Sequence, residues 1–484
     1  MDVEFMQELG PGFNQASRRP PNEGPGESPE ESNENKKKKT ARVIVTDPSL
    51  DLESYIANYT GHTKVDRLLL IADRCPPLSI DAYKLALAEL RTTLDFNRYA
   101  AVHSKLNTAL VNAGQSPTPL DNNWVEKAKR EYKDKTDRLE RELKDYKVNL
   151  IKESIRMGHN DLGDHYYNGG DLSLALKSFM RTKDYCTFPK HVLDMNLNVA
   201  QVSLELGNFP HVTTYIIKAE NALETSEDKI VTPGKLKCMG GLVNLESGKF
   251  KRAAKDFLEV SFALGSHFSK VISPNDIAIY GGLCALATFD RAELKSKVFD
   301  SADFRQFLEL EPQIRELLQG FYHSKYSLCL NLLSKMKNDL YLDLWLHGHV
   351  DEIYRKIRKK ALIQYFHPFL SVDLNKMAQA FGTPVSDLES ELATLITGKE
   401  INARLDSHSK ILRVRAADLR STIFDKSLVM GTDYQTQVRH VLLRMKLVRA
   451  DLIVKEQGHD RPDSRRYMTR GEAEVIGDPM AIDA

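Results

Sequence analysis

The chain has 484 residues, 42% of them apolar, so its length and composition allow two or three domains with substantial cores. Its 68 basic and 67 acidic residues nearly cancel, and a net charge of +1 gives no global attraction to nucleic acid or to a membrane. The five cysteines lie 45 or more residues apart without a CxxC pair, which excludes a zinc knuckle and argues against a disulfide framework. No apolar run approaches the roughly 18 residues that span a bilayer. Because the acidic N-terminus is not a signal peptide, we predict a soluble intracellular protein.

Both ends of the chain are predicted to be unstructured. Residues 1–48 are assigned to a disordered tail, because residues 14–40 contain a single apolar side chain, Ala16, and cannot bury enough surface to offset chain entropy. The four lysines at 36–39 form a solvated charge cluster or, alternatively, a nuclear-import signal. Residues 457–484 are also polar and are predicted to form a flexible tail.

Residues 49–300 are predicted to form a helical-repeat region. Tyr83, Leu87 and Leu90 step by three or four residues, which lines one helix face, and Pro76 with Pro77 separates this helix from the preceding one. Residues 124–155 form a long helix with charges of both signs and a thin apolar stripe. We interpret it as a solvated spacer, with a partner-binding surface as the alternative.

A weak repeat follows from residue 160 onward. Its first position is held by Leu172, Phe209, Phe250 and Phe289, at spacings of 37, 41 and 39 residues. Three residues further on stand Ala175, Val212, Ala253 and Ala292. Seven further on stand Phe179, Ile216 and Phe257, and the series fails at Ser296. Large and small side chains in this order are typical of stacked helix pairs, so we predict a tetratricopeptide-like solenoid. The repeated positions form the core between the helices or, alternatively, line a concave ligand groove.

Helices are predicted to continue through residues 301–360, ending with the basic run 355–360, and a winged helix is predicted at about 361–416. Ser371 is a candidate N-cap, and Leu374, Met377, Ala378 and Phe381 line the next helix. Ser386 and Glu389 have the spacing of a capping box, and the apolar face that follows is Leu388, Leu392, Leu395 and Ile396. Two segments around residues 401–405 and 411–414, the first with apolar residues at every second position, then predict a β-hairpin, which would be the wing.

Charge decides between two uses of a winged helix. The helix that would enter a DNA groove carries Asp387, Glu389 and Glu391, which DNA phosphates would repel, so this charge argues against nucleic-acid binding even though the wing is basic. The alternative is association with other proteins, because an edge strand has unpaired backbone groups that a neighbouring sheet completes. We expect this edge at residues 410–414. The candidate interface residues there are Lys410, Ile411, Leu412 and Val414.

A last long helix is predicted at residues 432–455, within the C-terminal segment 417–456. Its apolar residues step by three and four and form a near-heptad seam. These residues are Val438, Val441, Leu442, Met445, Val448 and Leu452. The seam packs back on the preceding module or enters a bundle with other chains.

No motif proposes catalysis, a cofactor or a resident metal. His347 and His349 form an HxH pair, but no serine follows in the register that a metalloprotease needs. If the pair is helical, its rings point about 200° apart and cannot share one metal. The chain also lacks phosphate-binding and nucleophile-elbow motifs, so we predict a non-enzyme without cofactors.

Several long stretches resemble the PCI family, which is named for the proteasome lid, the COP nine signalosome and translation initiation factor three. They include DRLLLIADRCPPLSIDAYKLALAELR, RTKDYCTFPKHVLDMNLNVAQVSLELGNF, TFDRAELKSKVFDSADFRQFLELEPQIRELL, KKALIQYFHPFLSVDLNKMAQAFGTPVSDLESEL and RSTIFDKSLVMG. Within the family they are most similar to the signalosome group, with a proteasome-lid subunit of the same build as the alternative. The resemblance covers about residues 49–455.

The resemblance implies a concrete role. The signalosome removes the ubiquitin-like modifier Nedd from the cullin subunits of cullin-RING ubiquitin ligases, and its catalysis belongs to a separate metalloprotease subunit. A subunit of this kind is architectural, and its residues 301–416 would form the PCI module. Winged helices of such subunits are expected to associate edge to edge, and their C-terminal helices to enter a common bundle. The implied partners are other signalosome subunits and, through the complex, cullin-RING ligases, in the cytoplasm and nucleus.

Overall fold

The computed structural model describes residues 43–223, 231–415, 419–450 and 452. Both predicted tails, apart from residues 43–48, and the lysine run at 36–39 lie outside the described residues. Within those residues the chain forms twenty α-helices and one three-stranded sheet, so the prediction of a mostly helical fold is confirmed. The chain divides into two compact units, Met1–Ala361 and Leu362–Ala484.

In its described residues the first unit contains helices and connecting loops but no strand. Its helices are α1 (Leu52–Ala57), α2 (His62–Arg74), α3 (Ser79–Leu90), α4 (Phe96–Asn112), α5 (Asn122–Val148), α6 (Lys152–Asn168), α7 (Leu172–Arg181), α8 (Pro189–Glu205), α9 (Phe209–Leu223), α10 (Val231–Glu246), α11 (Phe250–Leu258), α12 (Pro274–Thr288), α13 (Arg291–Leu294), α14 (Ala302–Leu310), α15 (Pro312–Tyr322) and α16 (Tyr326–Tyr341). Helix α17 (Val350–Phe366) begins in this unit and ends in the second.

The predicted repeats correspond to the helix pairs α6–α7, α8–α9 and α10–α11. Phe179, Ile216 and Phe257 are all buried in the second helix of their pair, as helix-pair core packing requires. Phe179 and Phe257 each face a glycine of the first helix. A Cβ atom built on Gly163 would lie 2.6 Å from Phe179, and one built on Gly241 would lie 2.7 Å from Phe257. The fourth repeat ends early, because Ala292 is exposed and a π-helical turn, Lys295–Phe299, follows.

The long charged helix is shorter than predicted. We expected one helix over residues 124–155, but α5 ends at Val148 and α6 begins at Lys152. Between them Leu150 has a positive φ of 54°, a left-handed conformation that a continuous α-helix does not contain. The predicted single helix is therefore two, and α6 is the first helix of a repeat pair.

The N-terminal segment contacts the later part of the same unit. The backbone N–H of Ser49 donates to Asp339 (3.1 Å), and that of Thr60 donates to the carbonyl of Ser269 (3.2 Å). These contacts join residues more than 200 positions apart, so the helical region is held at both ends of its sequence.

The second unit contains β1 (Ser371–Asp373), α18 (Leu374–Phe381), α19 (Val385–Thr397), β2 (Ala403–Asp406), β3 (Ile411–Val414) and α20 (Leu419–Arg449). The predicted apolar residues of α18 are all buried, and so are three of the four in α19, while Ile396 is half-buried. This core holds the two helices on the sheet, and the winged-helix arrangement is confirmed.

Both predicted helix caps of this unit are wrong. Ser371 is not an N-cap, because residues 371–373 extend to pair with β3, and Asp373 instead accepts from the N–H of Asn375 (2.9 Å). Helix α19 begins one residue before Ser386, after Pro384, with no side-chain cap. Glu389 binds Lys410 rather than closing a capping box, since the hairpin brings that lysine within 2.7 Å.

Candidate protein-interaction surfaces

The sheet order corrects the predicted edge strand. The order is β1–β3–β2, so residues 411–414 form the central strand and are paired on both sides. Leu412 is fully buried, Ile411 is half-buried, and Val414 is 36% exposed. The carbonyl of Lys410 accepts from Leu374 (2.9 Å). The sequence predicts an edge here because it shows only the hairpin, and the pattern of the three-residue strand β1 predicts the start of a helix instead.

The free edges of the sheet belong to β1 and β2. Arg415 donates to the carbonyl of Asn402 (3.0 Å), which makes that pair hydrogen-bonded. Antiparallel pairs alternate, so the backbone groups of Ala403 and Leu405 point away from β3. The outer side of β2 therefore presents a short row of backbone donors and acceptors suited to another strand.

The wing and the helix beside it partly neutralise each other. The Lys410 ammonium donates to Glu389 of α19 at 2.7 Å, while Asp387 of the same helix is exposed. Arg404, Arg413 and Arg415 remain exposed on or beside the two hairpin strands. The acidic character of α19 is thus retained in the structure.

Helix α20 exposes five of the six predicted seam residues, and the sixth, Leu452, is exposed beyond the end of the helix at Arg449. The exposed fractions are 38% for Val438, 57% for Val441, 52% for Leu442, 63% for Met445, 56% for Val448 and 70% for Leu452. In the part of the chain that the structure describes, these side chains are exposed and the seam does not pack back on the module. A 31-residue helix with this many exposed apolar side chains is typical of a partner-binding element.

The apolar surface of α20 is longer than the sequence prediction. The helix begins at Leu419, thirteen residues before the predicted start at 432, and its first half adds further exposed apolar side chains. These are Ile423, Phe424, Leu428, Val429, Met430 and Tyr434. They lie in RSTIFDKSLVMG and the residues after it, where Tyr434 and Met430 continue the four-residue spacing from Val438. Extending the periodicity count toward the N-terminus would have found these two.

A buried charge cluster in the first unit was not predicted. Arg67 of α2 is fully buried and forms ion pairs with Asp276 of α12 (2.8 Å) and Asp343 (2.7 Å). The hydroxyl of Tyr59 donates to Asp276 (2.6 Å), and that of Tyr280 donates to Asp343 (2.8 Å). The cluster joins the N-terminal helices to residues more than 200 positions later, and no local pattern reveals such a pairing.

Burial shifts the pKa values within this cluster. Desolvation raises the pKa of Asp276 to about 6, although Arg67 opposes the shift. Burial also pushes the pKa of Asp343 upward, but Arg67 and its hydrogen bonds outweigh that effect and hold it below the ordinary value. The cluster contains two carboxyl groups, those of Asp276 and Asp343, and a single cation, Arg67. Its stability therefore depends on that arginine.

His347 and His349 lie in a turn before α17 and not in a helix, so the angle that a helix would set between their rings does not apply. His347 Nδ1 is 2.9 Å from the carbonyl of Leu344, and His349 Nε2 is 3.5 Å from Glu246. Among the described residues no group of three histidine, cysteine or acidic side chains is arranged to hold a metal. None of the described helices is long and apolar enough to cross a membrane.

The sequence matches known families over both regions. Residues 121–297 match the family described as 26S proteasome subunit RPN7, and residues 306–416 match the PCI domain. The fold and these matches define a PCI-domain protein with a helical region before the winged helix.

Three relatives narrow the assignment. COP9 signalosome complex subunit 1 of Arabidopsis thaliana is 48% identical over 84% of this chain and 92% of its own length. Subunit 1b of Drosophila melanogaster is 40% identical over 88% of this chain and 90% of its own length. The 26S proteasome non-ATPase regulatory subunit 6 of Dictyostelium discoideum is 26% identical over only 32% of this chain and 41% of its own length. The chain belongs to the COP9 signalosome complex subunit 1 family, which confirms the predicted signalosome resemblance over the proteasome-lid alternative.

Proposed function

We propose that the protein is a non-catalytic scaffold subunit of the COP9 signalosome. In this role it assembles with other subunits and supports the removal of Nedd from cullin-RING ubiquitin ligases by a separate catalytic subunit. Membership of the subunit 1 family supports the assignment to the complex. We further propose that it acts in the cytoplasm and nucleus, which imaging of a fluorescent fusion tests.

The observation that carries the proposal is the exposed apolar surface of α20. Met445 and Leu442 are more than half exposed, although burying a side chain of this size is worth about 1.5–3 kcal/mol. A helix this apolar gains that free energy only when other helices cover it. A bundle shared with other subunits provides such a cover, with the seam residues at its centre.

The seam is tested by replacing Leu442→Asp and Met445→Asp together. We expect the variant to be lost from a signalosome reconstituted from purified subunits, because two carboxylates cannot be buried unpaired in an apolar bundle. The isolated chain should keep its circular dichroism spectrum, since both side chains are exposed there. Co-purification with tagged neighbouring subunits measures the loss.

A matched control adds the same charges elsewhere on α20. Gln437→Asp with His440→Asp places two carboxylates at polar positions of the helix. This variant should still co-purify with the complex. Unchanged incorporation of the Leu442 and Met445 variant would show that the seam is not an assembly surface.

The sheet edge is proposed as a second assembly surface. The outward backbone groups of β2, rather than those of residues 410–414, support this role, because the central strand has no free side. Interface roles for Lys410, Ile411, Leu412 and Val414 would have to come from side chains alone. The exposed Val414 is best placed among these residues, and the buried Leu412 is least accessible.

A further inference from the structure

In the basic run at 355–360, some side chains are used inside the fold and others reach the surface. Lys360 is used inside the fold, because its ammonium donates to the carbonyl of Leu286 (3.2 Å). Lys356 instead reaches the surface beside α11, where its ammonium lies 4.1 Å from the centre of the Phe250 ring. The fold thus brings one member of this run to a second basic segment more than 100 residues earlier.

That segment and Lys356 line an open groove of about 590 Å³. The groove is bounded by Gly248–Arg252, Thr288 and Lys356, so it contains four cationic side chains and no carboxylate. We call it the basic groove. It lies in the first unit, whereas the sheet edge and α20 belong to the second.

Two of its four cations already bind glutamate carboxylates at the rim. Lys251 lies 3.3 Å from Glu293, and Lys356 lies 2.9 Å from Glu352. Lys249 and Arg252 are exposed, and among the described residues no acidic side chain pairs with either. They are three residues apart at the start of α11, which places them on the same side of the helix.

The start of α11 is an unfavourable place for these charges. The N-terminus of a helix carries a partial positive charge and favours acidic residues. Here the first turn contains no acidic residue, the N-cap is Lys249, and no side chain caps the helix. The positive charges of Lys249 and Arg252 therefore repel the positive end of the helix dipole. An anion bound from outside would reduce this repulsion.

We propose that the basic groove binds an acidic peptide segment of a partner protein, whose carboxylates pair with Lys249 and Arg252. We assign a peptide as the occupant because the groove is lined by four cations and no carboxylate, and because the two cations that are already paired, Lys251 and Lys356, both bind glutamate carboxylates. An acidic segment continues this pattern across the groove. Binding is largely electrostatic and weakens as salt is added.

The test uses the full-length protein and a fluorescein-labelled hexaglutamate peptide, with binding measured by fluorescence anisotropy at low and at physiological salt. Lys249→Glu with Arg252→Glu should weaken binding by about tenfold or more, since two attractive contacts become repulsive. The milder pair Lys249→Gln with Arg252→Gln should give an intermediate loss, and it remains informative if charge reversal disturbs folding.

The matched control reverses two exposed lysines on α5, Lys129→Glu with Lys133→Glu, which changes the net charge equally. This variant should bind the peptide as the unmodified protein does. An equal loss in the control would overturn the proposal, because general surface charge would then explain the binding. So would displacement of the peptide by tripolyphosphate at a far lower concentration than by unlabelled hexaglutamate, which would indicate a phosphate site. Absence of binding at low salt would also overturn it.

Discussion

At the scale of single residues, Arg67 decides how the N-terminal helices attach to the rest of the first unit. Its guanidinium is completely buried and is the cation shared by Asp276 and Asp343. Breaking a buried pair by removing one partner is far more costly than losing a surface pair, because the remaining charges stay buried. The Tyr59 ring, 4.1 Å from the guanidinium, adds a cation–π contact to the cluster.

Replacing Arg67→Met should lower the free energy of unfolding by about 3–5 kcal/mol at neutral pH. The loss should shrink as the pH falls toward about 4, because the two buried carboxylates then bind protons in the native state of the variant more readily than in its unfolded state. Asp276 already has a folded pKa of about 6, above its ordinary 3.8, so its own contribution to stability decreases as the pH rises between these values. Urea unfolding over this pH range measures both effects.

The control is Arg138→Met on the exposed surface of α5, where the free energy of unfolding should match that of the unmodified protein at every pH. A pH-independent loss in the Arg67 variant would contradict the assignment of the effect to the two carboxylates.

At the scale of helices, the repeat depends on close approach between the two members of each pair. In α10–α11 the ring of Phe257 occupies the space where a side chain on Gly241 would begin. The adjacent Gly240 has only ordinary contacts at that position, the nearest being Asp256 at 3.6 Å. These two neighbouring glycines of α10 therefore differ in the space that they leave for a side chain.

We expect Gly241→Ala to destabilise the protein by about 1–3 kcal/mol, because the buried ring must move in a packed core. Gly240→Ala should instead stabilise it by about 0.5–1 kcal/mol, since alanine loses less conformational freedom than glycine in a helix. Thermal unfolding of both variants compares them directly. Equal effects of the two substitutions would mean that the contact with Phe257 does not limit the approach of α10 and α11.

At the scale of the whole molecule, the two units differ in what they leave uncovered. The first unit uses its repeated apolar residues in its own core. The second leaves both an outer strand and the long helix α20 without cover among the described residues. Assembly surfaces are therefore expected mainly in the second unit, and the basic groove adds a charged surface to the first.

The strand surface predicts a specific effect of proline. Leu405→Pro removes a backbone N–H that points away from β3, so the hairpin should survive while strand addition from a neighbour is weakened. We expect reduced incorporation into a reconstituted complex with a circular dichroism spectrum close to that of the unmodified chain. Arg404→Pro is the comparison, because its N–H pairs with β3 and its loss should destabilise the module itself. Full incorporation of the Leu405 variant would exclude the β2 edge as a contact.

The sequence by itself determined the helical class, the repeat positions from Ala175 to Phe257, the winged helix and the seam of α20. Each of these depends on local spacing, which is visible along the chain. Tertiary structure decided what spacing cannot encode: the pairing of β1 with β3 that makes residues 411–414 central, the convergence of Arg67 with Asp276 and Asp343, and the approach of Lys356 to α11. These contacts join residues tens to hundreds of positions apart, and only the packed fold sets which of them meet.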